Sequence, residues 1–187
     1  KVGEAAYGMY SVGTTVPIEV KPLGLMNYME VNAGSGIVGD VFHAMYLDLL
    51  AYSEGRVKVH HYTYDIDTWE QLSDDNLGED GLSLCAMETA QDRKTGKIYG
   101  VFWDESGTNL QWGTIDYTKM KRNFIGWAER QYVALGISKE GTLYGISLDG
   151  NLYSISTTDG KETLVGSTGV TVRDSDGSYY QQSGEID

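Results

Sequence analysis

The stretch YVALGISKEGTLYGISLDGNLYSISTTDGKETLVG, residues 132–166, decides the fold. Short runs rich in Val, Ile, Leu and Tyr alternate with Lys139-Glu140-Gly141, Asp149-Gly150-Asn151 and Asp159-Gly160. Gly and Asn tolerate the positive φ that tight hairpins need, and β-branched and aromatic side chains suit a pleated, half-buried surface. The pattern predicts strands over 132–137, 142–148, 151–157 and 161–166, joined in chain order as an antiparallel meander.

The same pattern recurs upstream. Ile98-Tyr99-Gly100 matches Leu143-Tyr144-Gly145 at an offset of 45 positions, and Lys94-Thr95-Gly96-Lys97 precedes it where Lys139-Glu140-Gly141-Thr142 precedes the other. Trp112-Gly113-Thr114-Ile115 then matches Leu152-Tyr153-Ser154-Ile155, and Phe124-Ile125-Gly126 matches Leu164-Val165-Gly166, both at an offset of 40. The offset changes because the 104–108 loop lengthens one hairpin, and a repeat array tolerates insertions in such turns. Weaker copies are read at Tyr7-Gly8-Met9-Tyr10, over 56–72 and from Tyr180 onward. A repeated four-stranded unit of about 45 residues is the blade of a β-propeller, so the expected fold is all-β. The expected divisions are a partial blade over 1–40, blades over 41–80, 81–129 and 130–172, and the start of another over 173–187. The stretch 39–52, apolar nearly all round, is read as holding two strands rather than a helix. Ala86, Ala90, Ala134 and Gly136 are small residues suited to strands crowded around a central axis.

Composition excludes several functions. With 27 acidic residues against 14 Lys and Arg, the chain of 187 residues carries a net charge of -13, which repels nucleic acid and anionic membrane surfaces. The longest apolar cluster, near Met45 and Tyr52, is interrupted by Asp48, so no membrane-inserting segment is expected. Cys85 is the single cysteine and reads as a small buried hydrophobe. No phosphate loop, zinc-protease helix, nucleophile elbow or dinucleotide fingerprint is present, so catalytic residues are not assigned.

Tyr132-Val133-Ala134-Leu135-Gly136, Leu143-Tyr144-Gly145, Asp149-Gly150-Asn151-Leu152-Tyr153 and the terminal Gln182-Ser183-Gly184-Glu185-Ile186-Asp187 resemble uncharacterised β-propeller proteins and lipoproteins of the Bacteroides cell surface. The likeness reaches back through residues 94–126 and weakens before residue 40. It implies a secreted, periplasmic or outer-membrane surface location and a propeller longer than this chain. The opening Lys1-Val2-Gly3 reads as a processed or truncated start. Two arrangements follow: a fragment of a larger propeller, or a four-bladed ring closed by the strand beginning at Tyr179. An open arc exposes unpaired strand edges and favours dimerisation.

The expected role is a binding or interaction module for a carbohydrate or protein ligand. Trp103, Trp127, Tyr179 and Tyr180 are the candidate ligand-binding residues, because flat aromatic faces with polar handles suit sugar rings and protein partners. Trp103 sits at a hairpin end and is expected to be exposed. Trp112 aligns with Leu152 and is expected in the core, while Trp127 aligns with Ser167 and is free to face solvent. His60 and His61, neighbours on a strand, point to opposite faces and read as exposed polar positions or partner contacts, with His43 able to meet one of them across strands. No cofactor is expected. Calcium is the one ion considered, at the loop-like Asp174-Ser175-Asp176-Gly177-Ser178, with Asp174 and Asp176 as ligands, or at the acidic 73–81 stretch. The alternatives are a glycan-processing hydrolase or lyase using loop carboxylates among Asp92, Asp104, Glu105, Asp116 and Glu129, or a structural spacer in a larger surface protein.

Overall fold

The computed structural model describes residues 8–12, 15, 20–25, 30–48, 51, 54–169 and 184–185. β1 (Gly8–Val12) and β2 (Val20–Leu25) pair as an antiparallel ribbon. Three four-stranded sheets follow, each an antiparallel meander in chain order. The first is β3 (Glu30–Val38), β4 (Val41–Asp48), β5 (Val59–Asp65) and β6 (Gln71–Asn76). A 3-10 helix, Gly78–Leu84, leads to the second: β7 (Ala86–Gln91), β8 (Ile98–Trp103), β9 (Leu110–Asp116) and β10 (Lys121–Ala128). The third is β11 (Tyr132–Ile137), β12 (Leu143–Ser147), β13 (Asn151–Ile155) and β14 (Glu162–Ser167), with β15 (Gly184–Glu185) added parallel to β11. The turn chemistry of 132–166 therefore places its four strands within two residues of the observed ends.

The expected division between residues 40 and 41 is corrected. It falls inside the β3–β4 hairpin, whose turn holds Gly39 at φ 61°, so residues 30–38 share a sheet with 41–76. The division at 80/81 falls within the 3-10 helix rather than between sheets, and the one at 172/173 lies outside the described residues. The stretch 39–52 contributes one strand, β4, to the described structure.

The second sheet is apolar on both faces. Ile98 and Phe102 of β8 and Ile115 of β9 pack with Ala33, Met45, Val59 and Tyr117 on the side of the first sheet. Tyr99, Val101, Leu110 and Trp112 pack with Tyr132, Leu135, Leu143, Tyr153 and Ile155 on the side of the third. Successive strand residues face opposite ways, so an unbroken apolar run such as Ile98-Tyr99-Gly100-Val101-Phe102 is what burial on both faces requires. Gly100 opposes Gly113 across β8 and β9, and a Cβ on Gly100 would lie 2.9 Å from Phe102 Cζ and 3.0 Å from the Glu88 carbonyl. Glycine there leaves room for the Phe102 ring.

β7 lies between β3 and β11. Side chains of β7 join it to the β3 backbone: Thr89 Oγ1 accepts the Ser35 N–H at 3.1 Å and donates to the Ser35 carbonyl at 3.0 Å. Gln91 repeats the arrangement, accepting the Ile37 N–H at 2.9 Å and donating to its carbonyl at 2.5 Å. Two strands are thus connected by side chains where no ladder joins them.

The second and third sheets are pinned by Glu162, whose side chain is 0% exposed. Its carboxylate accepts Trp112 Nε1–H at 3.0 Å, the Glu129 N–H at 2.9 Å and Arg130 at 2.6 Å. The Arg130 guanidinium in turn covers the Tyr153 ring at 4.4 Å. Removing one partner of a buried pair leaves the others desolvated and unmatched. Glu162→Ala is therefore expected to destabilise the fold by about 3 kcal/mol in urea denaturation, and Glu162→Gln by less, because the amide oxygen still accepts from Trp112.

Candidate binding cleft

The β8–β9 hairpin is built around one carboxylate. Asp104 Oδ1 accepts the Thr108 N–H at 3.0 Å, the Asn109 N–H at 3.2 Å and Ser106 Oγ–H at 2.8 Å, while Oδ2 accepts Asn109 Nδ2–H at 2.8 Å. This closes the inserted loop on itself and fixes Trp103 beside it. From the other side Arg122 donates to the Trp103 carbonyl at 2.8 Å and lies over Phe102 at 5.2 Å. Trp103, Leu110 and Ala128 form one row across β8, β9 and β10, and Phe102, Gln111 and Trp127 the next.

An irregularity in β10 between Phe124 and Gly126 resets the register ahead of Trp127. Trp127 meets Phe124 edge to face at 5.5 Å, and both rings remain more than half exposed, at 57% and 56%. Trp103 is 39% exposed. Trp103 and Trp127 rim a cleft of about 490 Å³, together with the polar residues Asn109, Glu129, Arg130 and Gln131. Arg130, bound to Glu129 at 3.0 Å and to Glu162, is held firmly in its charged form. Adjacent rows face opposite ways, so the Trp127 ring lies with Phe124 on the other face from Trp103, and the cleft combines one indole with amide, carboxylate and guanidinium groups.

Trp112 is buried in the core at 1% exposure, as its alignment with Leu152 implies, and Trp69 is half-buried against Phe42 at 5.7 Å. Tyr179, Tyr180, Asp174 and Asp176 lie outside the described residues. No group of three or more His, Cys, Asp or Glu side chains is arranged to hold a metal among the described residues.

The reading of the histidines as exposed positions is corrected: His43, His60 and His61 are all buried. His43 Nδ1 and His61 Nε2 are 3.0 Å apart across β4 and β5, and both rings lie near Tyr117, at 5.6 and 6.0 Å. Tyr117 comes from the end of β9 in the next sheet, a neighbour that local sequence does not reveal. His60 turns the other way and meets Asp74 at 2.5 Å. Desolvation lowers the pKa of His43 and His61, so both favour the neutral imidazole. Burial pushes the Cys85 thiol up to about 12, leaving it protonated.

Among the loop carboxylates, Asp92, Asp104 and Asp116 each accept bonds within their own turns and are held below the usual range. Glu105 and Glu129 are exposed, and Glu129 reaches the cleft. The carboxyl that burial raises is one that sequence did not single out: Glu88 on β7, at about 7.

No family model matches the chain, and no curated protein matches it. Among solved structures it is similar to the computationally designed Ika4 protein, at 15% identity and a TM-score of 0.36, over 81% of this chain and 76% of that one. No helix among the described residues is long and apolar enough to cross a membrane.

The buried groups predict a pH dependence. The folded state binds a proton at Glu88 more tightly than the unfolded chain, so that contribution is complete below about 4.5 and is lost as pH rises through about 7. The lowered histidines act oppositely, contributing above 6.5 and losing that contribution as pH falls through their folded values. Glu88→Gln is expected to abolish the alkaline loss and to stabilise the protein at pH 8 by about 1–2 kcal/mol in denaturant titrations, while leaving the acidic loss in place.

Proposed function

We propose that the three stacked meanders are blades of a β-propeller and that the protein is a carbohydrate-binding module, holding a sugar against Trp103. The propeller reading is supported by the order of each sheet and by the succession of first strands β3, β7 and β11 lying side by side. The surface location implied by the sequence resemblance belongs to the same reading.

The single observation that carries the function is an exposed tryptophan, Trp103, on a polar-rimmed cleft. A pyranose presents C–H faces and equatorial hydroxyls. The Trp103 indole covers the first, while Asn109, Glu129 and Gln131 offer donors and acceptors to the second. Concave aromatic sites with few polar groups are the usual form of small-ligand pockets.

A second reading, a glycan-processing enzyme, draws on Glu88, whose carboxyl near 7 is poised for proton transfer. That chemistry needs a second carboxylate roughly 5–9.5 Å away. Asp92, Asp104 and Asp116 are instead ionised and tied into their own turns.

Titration of the protein with neutral oligosaccharides, read by tryptophan emission, tests the binding reading. Saturable quenching is expected, weakened at least tenfold, about 1.4 kcal/mol, by Trp103→Ala and left nearly unchanged by Trp127→Ala. Both positions are exposed, so the variants are expected to fold. Unchanged affinity in Trp103→Ala would sink the proposal, and product formation abolished by Glu88→Gln would establish the enzyme instead.

A further inference from the structure

A second cleft, of about 340 Å³, opens between the far ends of β7 and β11. Its lining includes Gln91, Gly136 and Ile137 and the basic residues Arg93, Lys94 and Lys139. In a chain of charge -13, three of the 14 Lys and Arg residues thus face one opening. None of the three forms an ion pair with a carboxylate among the described residues. Asp92, the acid in the lining, accepts the Lys94 N–H at 2.9 Å and the Thr95 hydroxyl at 2.6 Å, so its oxygens serve its own turn.

The opening has a sequence cause. Between β3 and β7 the exposed peptide groups of Ser35 and Ile37 are met by the side chains of Thr89 and Gln91. Gln91 pairs with Ile98 as Ile137 pairs with Leu143, and Thr89 with Gly100 as Leu135 with Gly145, so Thr89 and Gln91 correspond to Leu135 and Ile137, whose side chains form no hydrogen bonds. The Asp92 N–H bonds the Lys97 carbonyl at 2.8 Å, so by antiparallel alternation the N–H and C=O of Gln91 turn away from β8. β7 is the edge of its sheet, and the apolar side chains of Leu135 and Ile137 offer that edge no hydrogen bond. A main-chain donor and three cations remain around one cavity.

We infer that this cleft is an oxyanion-binding site, taking the carboxylate, sulfate or phosphate group of a small ligand. Arg93 supplies a planar fork of donors suited to two oxygens of one anion, and Lys94 and Lys139 supply point charges from equivalent positions of successive repeats. The site is independent of the tryptophan cleft. Trp103 lies at the opposite end of β8 from Ile98, the residue that pairs with Gln91.

Amide NMR titration with sodium sulfate, sodium phosphate and sodium glucuronate, each at ionic strength matched with sodium chloride, tests the inference. Saturable shifts are expected at Gln91, Gly136 and Lys139. The double variant Arg93→Gln/Lys139→Gln, which alters exposed turn positions, is expected to weaken binding at least tenfold, and Lys121→Gln on β10 to leave it unchanged. Tighter binding of glucuronate than of the inorganic ions would identify the source as an acidic sugar, and the reverse order a free inorganic oxyanion. Shifts that do not saturate, that chloride reproduces, or that the double variant retains at full affinity would overturn the site.

Discussion

The structure depends on one constraint: a four-stranded sheet with apolar residues on both faces must be covered on both. β8 meets that condition in full, since every residue from Ile98 to Phe102 is buried. Removing apolar surface from water drives this stacking, and alternation of side chains along the strand divides it between two neighbours. The second sheet is thus stable only between the first and the third. Polar contacts add direction to that stacking. Thr89 and Gln91 set β7 against the peptide groups of β3, and Glu162 sets Trp112 against Arg130. Each of these groups is matched, as desolvated polar atoms require.

The two clefts are consequences of this framework at opposite ends of the second sheet. At the end of β8 and β9, an inserted loop closed by Asp104 and a register change in β10 leave Trp103 and Trp127 uncovered. At the end of β7, the apolar side chains of Leu135 and Ile137 make no hydrogen-bonded bridge where the preceding pair of strands has one. Part of the acidic composition belongs to the scaffold: Asp65, Asp92, Asp104, Asp116 and Asp149 each accept main-chain N–H groups at the ends of strands.

The strands of the third sheet were readable because each is bounded by Gly, Asn or Asp at a turn. β3 was harder to place, since Asn32-Ala33-Gly34-Ser35-Gly36 lacks apolar alternation and the pairing with β4 shifts between Asn32 and Ser35. Gly34, at φ 110°, packs against the Tyr117 hydroxyl, a contact fixed by the next sheet. The same distant residue buries His43 and His61. Trp103 and Trp127 were legible as exposed aromatics from the hairpin insertion and from alignment with Ser167. The polar-rimmed cleft beside Trp103, and the turning of Trp127 to the other face, were not, because they depend on the lateral order and register of β8, β9 and β10. The basic opening was hidden for a similar reason: it joins turns 45 positions apart from strands whose register is offset by 46.

Residue-resolved amide hydrogen exchange under native conditions tests the interdependence of the sheets most directly. The account predicts that amides of β8 and β9 are the slowest to exchange, and that β4, β5, β12 and β13 open with them in one cooperative unit sharing the same denaturant dependence. Exchange of the whole third sheet through a separate opening of its own, with β8 and β9 still protected, would contradict it.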